Sequence, residues 1–380
     1  MPTGPVSPTW PTCGDAVSSD THSDPAGTRD PASGAPHPGD PHPDLPPSSG
    51  APVDVLLTGT VFFDLVFTGL ASMPAPGREI RTGGLGASPG GVANLAVALR
   101  RLGLSVRLDA AFATDLFGDY LWRTLAVDEG VDLSGSIRVP DWATPLTVSL
   151  AHHDDRSLVT YERPQPVSVP SSLDAERPAA RAFFACLSSH PHEIARAHRA
   201  GMLVFADVGW DESERWVPGD LDTLRHVDAF LPNCDEATAY TRTATAEDAA
   251  CVLAGRVPLV VVKCGRNGAV AWEAGAAEPL VEGAIDVEAI DPTGAGDVFD
   301  AAFVYATLSG WGLRERLRFA NLCAGLSVRH HGGSLSAPSW GEIAEWVRRQ
   351  PDAAARYGFL RPLLAGEQGG SAPRRARPTI

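Results

Sequence analysis

The residues best placed to do chemistry lie in one glycine-rich segment, Asp291–Asp297, which reads DPTGAGD and precedes apolar residues at helical spacing. The segment therefore predicts a loop that leads into a helix. Gly294 and Gly296 carry no side chains, so their N–H groups can turn inward, and such donors at a helix N-terminus form an anion site. Asp297 stands at the same terminus. It could cap the helix, or it could draw a proton from a hydroxyl while the amides hold a developing phosphoryl charge.

The chain contains a single lysine, Lys263, among its 31 basic residues. A lysine-based phosphate loop needs Gly-Lys-Ser or Gly-Lys-Thr, whereas Lys263 stands between Val262 and Cys264. The P-loop kinases and GTPases are therefore excluded. Any Schiff-base chemistry would depend on Lys263 alone.

Charge and cysteine content narrow the class of protein further. The 380 residues carry a formal net charge of −15, which argues against nucleic acid or an anionic membrane surface as a partner. The six cysteines form no C-x-x-C pair, so neither a disulfide framework nor a zinc site is predicted. The sequence has no apolar stretch approaching 18 residues and does not begin with a basic segment followed by an apolar run, and these features predict a soluble cytoplasmic protein.

Strand-like and helix-like segments alternate through most of the chain. Alternation of this kind predicts an α/β fold with a mainly parallel sheet covered on both faces. The predicted strands are Val53–Gly59, Val106–Phe112, Met202–Asp207 and Val257–Lys263, and the predicted helices are Asn94–Leu102, Asp119–Asp128 and Asp297–Leu308.

One stretch interrupts the alternation. Thr147–Ala151 and Leu158–Glu162 are extended runs around His152–Arg156, which indicates a β-hairpin. With the glycine-rich residues Gly77–Gly86, the hairpin predicts a small β-sheet lid built from about 62–86 and 140–165.

The two ends of the chain differ from the middle. Residues 1–50 hold 12 prolines and six glycines but only three of Val, Leu, Ile and Phe, so they cannot bury enough apolar surface to offset the entropy of ordering. We expect a disordered tail there and a second one at 366–380. One domain, 51–365, remains between them.

Four ordered motifs resemble those of the ribokinase-like (phosphofructokinase-B, PfkB) carbohydrate kinases. Asp291–Asp297 is similar to the C-terminal signature of that family, with Pro292 in a variable place. Gly90–Gly103 (GGVANLAVALRRLG) resembles its N-terminal signature. Asn233–Glu236 matches its N-x-x-E motif, and Lys263–Gly268 matches its turn at a strand end. The resemblance covers residues 53 to about 340 and implies a three-layer α/β/α fold with a small β-sheet lid.

The resemblance also implies roles for individual residues in an ATP- and Mg²⁺-dependent phosphotransferase. Asp297 would be the catalytic base, and Gly294, Ala295 and Gly296 would form the anion hole. Glu236 would hold Mg²⁺ through water. The expected ATP-binding residues are Asn233, Glu236, Lys263, Gly265, Gly268 and Asn321. Some relatives hold a monovalent cation such as K⁺ near the positions that correspond here to Asp291, Thr293, Ser327, His330, Gly332 and Ser336.

The substrate would be a small sugar or a nucleoside. The residues expected to read its hydroxyl groups are Asp64, Gly90, Gly91 and Asn94. This chain departs from the family in having Pro89 where a first glycine is usual, and in lacking the lysine that several relatives place in the same turn. A phosphorylated substrate usually needs a cation, so an unphosphorylated sugar or nucleoside is favoured.

Three further questions stay open at the level of sequence. A nucleoside kinase would use the same motifs and would need a stacking aromatic residue, for which Phe62, Phe63, Trp142 and Tyr161 are candidates. A non-catalytic sugar- or nucleotide-sensing module on the same fold is the alternative outside the enzyme class. Lids of this type commonly pair between subunits, so a homodimer through the lid is a further expectation.

Overall fold

The computed structural model describes residues 52–152, 155–174, 180–187, 189–209, 211 and 213–366. The tails predicted at 1–50 and 366–380 lie outside these residues, apart from residue 366. The strands, in chain order, are β1 Val53–Thr58, β2 Val61–Thr68, β3 Gly84–Gly91, β4 Val106–Asp109, β5 Ala111–Ala113, β6 Ile137–Val139, β7 Leu146–His152, β8 Asp155–Tyr161, β9 Ala180–Cys186, β10 Leu203–Asp207, β11 Ala229–Phe230, β12 Leu259–Lys263, β13 Ala269–Glu273 and β14 Leu280–Glu282. The α-helices are α1 Val92–Arg101, α2 Leu116–Arg123, α3 Pro191–Arg199, α4 Cys234–Thr241, α5 Ala246–Leu253, α6 Ala295–Leu308, α7 Leu313–Ser327, α8 Trp340–Arg348, α9 Ala353–Arg356 and α10 Arg361–Gly366.

The larger sheet has eight strands in the described part of the chain, in the order β14-β13-β12-β11-β10-β9-β1-β4. The six strands from β12 to β4 run parallel, and β13 and β14 are antiparallel to their neighbours. Successive side chains of a strand point to opposite faces. Accordingly, Val55 and Leu57 of β1 pack in one core with α1, α6 and α7, while Leu56 packs in a second core with α3 and α5. The predicted three-layer α/β/α fold is confirmed.

A separate four-stranded sheet, in the order β3-β2-β7-β8, stands apart from the larger one. β2 pairs antiparallel with β3 along its whole length, from Val61 opposite Gly91 to Thr68 opposite Gly84. The predicted hairpin is present as β7 and β8, with residues 153 and 154 of its turn outside the described residues. The prediction of a smaller sheet is therefore confirmed.

Helix α2 packs against the base of this smaller sheet. The ring of Phe63 on β2 lies 4.6 Å from that of Phe117 and 5.4 Å from that of Tyr120, measured between centroids. The Tyr120 hydroxyl donates a hydrogen bond to the carbonyl of Ala87 on β3 at 3.2 Å. These contacts fix the orientation of β2 and β3, which carry several of the predicted site residues.

The single strand predicted over Val106–Phe112 is wrong. The chain forms two strands there, β4 in the larger sheet and β5, which pairs with β6 in a small sheet of its own. The interruption has a side-chain cause, because the Ser136 hydroxyl donates to the carbonyl of Leu108 and accepts from the amide of Ala110. These two bonds occupy the backbone groups on either side of Asp109, so the chain turns from one sheet to the other.

The helix predicted over Asp119–Asp128 begins earlier, at Leu116, and continues beyond α2 as a π-helical stretch, Thr124–Asp128. The early start follows from Asp115, whose carboxylate accepts a hydrogen bond from the amide of Gly118 at 2.8 Å and so caps α2. The same carboxylate accepts hydrogen bonds from the amide and hydroxyl of Thr144, at 2.9 and 2.6 Å.

Among the described residues, no helix combines the length and hydropathy needed to cross a bilayer. The cytoplasmic location and the absence of nucleic-acid and membrane partners stay predictions. So do the domain limits at 51 and 365.

Asp115→Ala tests the cap of α2. Burial alone would raise the pKa of Asp115, but hydrogen bonds from Thr144 and Gly118 outweigh burial and lower that pKa. The stabilisation is therefore present above the unfolded-state pKa and is lost as pH falls through the lower folded-state pKa. We expect Asp115→Ala to reduce the free energy of unfolding by about 1–2 kcal/mol at pH 7, and this difference to shrink at strongly acidic pH, as measured by urea unfolding.

Asp115→Asn is the control for this experiment, because an amide oxygen can still accept the cap hydrogen bond without carrying charge. We expect it to lose less stability and to show a weaker pH dependence. Equal stability of Asp115→Ala and wild type at pH 7 would contradict the assigned role of the cap.

Candidate active site

The glycine-rich segment forms the N-terminus of α6, as predicted. Gly294 caps the helix with a φ of +74°, a left-handed conformation that favours glycine. Ala295 and Gly296 begin the helix, and Asp297 lies in its first turn. The amide of Ala295 donates to the carbonyl of Pro292 at 3.2 Å. The helix dipole favours an anion at this end of α6.

The predicted base meets a predicted substrate residue at this helix end. Nδ2 of Asn94, on α1, donates a hydrogen bond to Oδ2 of Asp297 at 3.0 Å. An ideal Cβ built on Gly294 would lie 3.2 Å from Cγ and Oδ1 of Asn94, so the two backbones approach closely. The structure thus brings together two residues that lie 203 positions apart in the sequence.

Asp64 and Gly90 are also in contact. They lie on the paired strands β2 and β3, and an ideal Cβ on Gly90 would fall 2.1 Å from Oδ2 and 2.3 Å from Oδ1 of Asp64. Only glycine leaves room for the carboxylate here. Gly91 follows with a φ of +61° and caps α1, the helix that carries Asn94.

Three buried oxygens at this place have no hydrogen-bond partner among the described residues: Ser88 Oγ, Asn94 Oδ1 and Thr293 Oγ1. All three residues lie around Gly333, whose ideal Cβ would be 2.9 Å from Ser88 Oγ, 3.8 Å from Asn94 Oδ1 and 3.5 Å from Thr293 Cγ2. Buried polar groups are rarely left unpaired in proteins. The three oxygens therefore lack the partner that a folded protein usually supplies. Ser88 was not predicted, and the only sequence signal for it is its place two residues before Gly90.

Asp291 organises the loops predicted to hold a monovalent cation. It is 1% exposed, and its two carboxylate oxygens accept hydrogen bonds from the amides of Thr293, at 2.9 Å, and Gly332, at 3.1 Å. The Ser327 and Ser336 hydroxyls donate to the carbonyls of Ala324 and Gly333.

The amide of His330 donates to the carbonyl of Ser327. All six residues predicted to lie near a monovalent cation therefore belong to this group of loops. The Asp291 oxygens and the two serine hydroxyls already have protein partners. Backbone carbonyls would therefore supply most ligands of a K⁺ ion, and the presence of such an ion stays a prediction.

The N-x-x-E motif caps α4 on the other side of α6. Oδ1 of Asn233 accepts from the amide of Glu236 at 2.9 Å, and Oε2 of Glu236 accepts from the amide of Asn233 at 2.8 Å, which is a capping box. Burial, and then the charge of Asp207, raises the pKa of Glu236 to about 8. A nearby cation would stabilise the ionised form of a carboxylate in this environment.

Lys263 ends β12 beside this motif. Its Nζ donates hydrogen bonds to Oδ2 of Asp207 at 2.7 Å and to Oδ2 of Asp300 at 2.8 Å. Neither aspartate was predicted as a site residue. A signal for each exists in the sequence, since Asp207 ends a predicted strand and Asp300 follows Asp297 by one helical turn.

The remaining predicted nucleotide residues lie near the end of β14. Nδ2 of Asn321 donates to the carbonyl of Glu282 at 3.0 Å, and an ideal Cβ on Gly268 would lie 2.1 Å from the same oxygen. Gly265 begins the turn that leads to Gly268 and has a φ of +53°. The structure therefore gathers Asn321 and Gly268 at one place, and their contact with adenine stays a prediction.

The donor set fits Mg²⁺ that arrives with a phosphate ligand. In the part of the chain that is described, no three His, Cys, Asp or Glu side chains converge as metal ligands. Magnesium prefers oxygen ligands, and it usually keeps several waters and binds one or two carboxylates together with substrate phosphates. Glu236 supplies a carboxylate of this kind.

Comparison with known proteins identifies the family. A model of the pfkB family carbohydrate kinases matches residues 54–340. A ribokinase from Bacillus subtilis is 26% identical over 315 residues, covering 77% of this chain and 98% of the relative. A nucleoside kinase from Methanothermobacter thermautotrophicus is 28% identical over 326 residues, covering 82% and 98%. The solved structure of Arabidopsis thaliana ribokinase complexed with ribose and ATP has a TM-score of 0.66 at 24% identity, covering 78% and 98%.

The chain therefore belongs to the pfkB family of carbohydrate kinases. The predicted family, fold and enzyme class are confirmed. The roles of the individual site residues stay predictions, as do the K⁺ ion and the homodimer.

Gly294→Ala tests whether the N-terminus of α6 needs a bare backbone. We expect a loss of about 1–2 kcal/mol in the free energy of unfolding from the left-handed φ, and a further loss because the new methyl group displaces the Asn94 amide. Gly310→Ala is the matched control, since Gly310 has the same φ of +74° and its ideal Cβ meets nothing within 4 Å. Urea unfolding should show the larger loss for Gly294→Ala, and equal losses would contradict the contact with Asn94.

Proposed function

We propose that this protein is an ATP-dependent phosphotransferase that phosphorylates a hydroxyl group of a small, unphosphorylated sugar. Asp297 acts as the general base, and the amides of Gly294, Ala295 and Gly296 form the anion hole. The observation that carries the proposal is the hydrogen bond from Asn94 to Asp297, because it joins the substrate side of the site to an acid at a helix N-terminus.

Proton transfer falls to Asp297. A base must lie within hydrogen-bond reach of the hydroxyl that it deprotonates, and Asn94 fixes the orientation of the Asp297 carboxylate through Oδ2. As the alkoxide attacks the γ-phosphorus, its new O–P bond forms while the bond from that phosphorus to the bridging oxygen breaks and ADP leaves. Charge develops on the phosphoryl oxygens during this exchange. The amides of Gly294 and Gly296 are already in place to stabilise that charge. The amide of Ala295 does so once it leaves the carbonyl of Pro292.

Recognition of the sugar falls to the groups around β2, β3 and Gly333. Asp64, Gly90, Gly91 and Asn94 read the hydroxyl groups. Apart from Asp64, these side chains are uncharged. That composition supports a neutral polyol over a sugar phosphate.

The nucleotide lies on the opposite side of Gly296. ATP contacts Asn233, Glu236, Lys263, Gly265, Gly268 and Asn321, and Glu236 holds Mg²⁺ through water. When bound, Mg²⁺ neutralises charge on the phosphate oxygens. The raised pKa of Glu236 supports this role, since a carboxylate that is costly to ionise by itself gains most from a cation.

The smaller sheet acts as a lid that excludes water when sugar and ATP are bound. Its outer strand, β8, exposes Leu158, Val159 and Tyr161. Exposed apolar residues on an edge strand support pairing of two lids in a homodimer, and size-exclusion chromatography coupled to light scattering measures that state.

A nucleoside kinase is the second candidate. The Methanothermobacter relative is a nucleoside kinase, and the Phe62 ring lies beside the substrate turn, with Cδ2 2.7 Å from an ideal Cβ on Gly91. Phe63 and Trp142 are buried in packing, which leaves Phe62 and Tyr161 as stacking residues for a base.

Turnover of ATP against a panel of neutral sugars and nucleosides tests both candidates. We expect phosphorylation of at least one neutral polyol. In Asp297→Asn the new amide oxygen can still accept the hydrogen bond from Asn94 but cannot take a proton, so turnover should fall by at least ~10²-fold while ATP still binds. Asp222→Asn, at an exposed carboxylate remote in sequence, is the control, and undiminished turnover in Asp297→Asn would refute the assignment of the base.

Gly90→Ala tests the sugar side. The added methyl group must displace the Asp64 carboxylate, so we expect KM for the sugar to rise by roughly 10-fold or more, since a misplacement of about 1 Å has large effects. KM for ATP should change little. Gly83→Ala is the matched control, because the ideal Cβ of Gly83 meets nothing within 4 Å. Similar KM values in the two variants would argue against Asp64 as a substrate ligand.

A further inference from the structure

Lys263 is buried between two aspartates, and a position in the nucleotide groove does not by itself explain this pairing. Its side chain is 10% exposed, and it pairs with Asp300, which is 0% exposed, and with Asp207, which is 21% exposed. An ammonium group has three N–H donors. Two of them go to the aspartates, so one donor remains for an anion.

The ammonium lies next to the anion hole. An ideal Cβ on Gly296 would be 3.7 Å from Nζ of Lys263. Asp300 sits on α6 one turn after Asp297, so the residue that holds the lysine and the proposed base share one helix face. The charge of Lys263 is thereby fixed near the place where phosphoryl oxygens would be held by backbone amides.

Stability does not account for this arrangement. Burying an ion pair removes both charges from water, and apolar replacements of similar volume are often equally stable or more stable. Here two carboxylates face one ammonium, and Oδ1 of Asp300 is buried with no hydrogen-bond partner among the described residues. An excess of buried negative charge is costly unless a ligand or cation compensates it.

The lysine stays charged in this environment. Burial by itself lowers the pKa of Lys263, but Asp207 and Asp300 outweigh burial and raise that pKa above its usual value. Lys263 therefore offers a permanent positive charge rather than a titrating group at neutral pH.

We propose that Lys263 stabilises the phosphoryl group during transfer, and that Asp207 and Asp300 are positioning residues that hold its ammonium beside Gly296. The proposal rests on the proposed phosphotransferase function. It adds two residues to the site and places the contact of Lys263 with ATP at the γ-phosphoryl group, where the contact strengthens during transfer. Interactions that are stronger in the transition state raise kcat, whereas uniform binding lowers KM.

The first measurement separates kcat from KM. We expect Lys263→Met to lower kcat by ~10²-fold with KM for the sugar changed less than about 3-fold, and Lys263→Arg to recover part of the loss because charge is retained. Lys263→Met leaves two buried carboxylates without their cation, so it can also fail to fold. The double variant Lys263→Met, Asp300→Asn removes a charge of each sign and keeps the experiment interpretable.

The double variant distinguishes the two roles. If the lysine only balances the buried aspartates, removing Asp300's charge should restore kcat towards that of wild type. Under the proposal the double variant stays as slow as Lys263→Met. Restored turnover would overturn the proposal.

The matched control is a partly buried ion pair in which neither residue belongs to the four motifs. Arg107 and Asp132 are 14% and 27% exposed, with 2.9 Å between Nη2 and Oδ2. We expect Asp132→Asn to lower Tm but leave kcat per folded protein within about 2-fold of wild type, as additive remote effects imply. A loss of kcat in the Lys263 variants that only parallels their loss of Tm, as for Asp132→Asn, would count against the proposal.

A binding experiment separates this proposal from the proposed function. ADP, Mg²⁺ and aluminium fluoride mimic the transferring phosphoryl group, and calorimetry compares their binding with that of ADP and Mg²⁺ alone. We expect Lys263→Met to weaken binding of the aluminium fluoride complex by ~10²-fold, and binding of ADP and Mg²⁺ alone by less than about 3-fold. Equal weakening of both, or of neither, would overturn the role of Lys263. If wild type turned over no sugar or nucleoside yet showed this difference, the proposed substrate class would fail, while the role of the lysine in phosphoryl transfer would stand.

Discussion

Parallel strands must end at the same edge of their sheet, and most of the candidate active site depends on this constraint. β10, β11 and β12 are neighbours in the larger sheet. β10 ends at Asp207, β12 ends at Lys263, and Asn233 follows β11 and caps α4. Side chains from three separate segments therefore meet at one edge, which is where open α/β sheets generally bind ligands. The N-terminus of α6 covers this edge and brings Asp297 to it.

The same edge concentrates charge of one sign. Glu236, Asp207 and Asp300 interact with a single lysine, and burial raises the pKa of Glu236 and of Asp300. Such a cluster is unfavourable in a protein without ligands, and sites that break the ordinary rules of burial are often functional. Under the proposed function, the absence of other lysines does not prevent phosphate binding, because backbone amides and one well-held ammonium would do what a lysine-based loop does elsewhere.

The sequence predicted those parts of the structure that depend on residues close together in the chain. Alternating patterns predicted the larger sheet, and the stretch that interrupts them predicted the smaller one. The glycine-rich segment predicted the loop before α6. Prediction failed where a distant side chain decides the outcome. The break between β4 and β5 depends on Ser136, which lies 26 residues from Ala110. Asp207 and Asp300 were missed because their common partner, Lys263, is 56 and 37 residues away. Only the folded chain shows which of several acids the lysine meets.

The distance along the chain between Asn94 and Asp297 has a consequence for biogenesis. Contacts of such high sequence separation form late, since the entropy of closing a long loop must be overcome before they contribute. Ser334 and Pro89, joined by a hydrogen bond across 245 positions, close the same region. The N-terminal strands and α1 can therefore be complete while half of the candidate active site is missing. Regained phosphotransfer would be a late marker of refolding, trailing the recovery of helical and strand content.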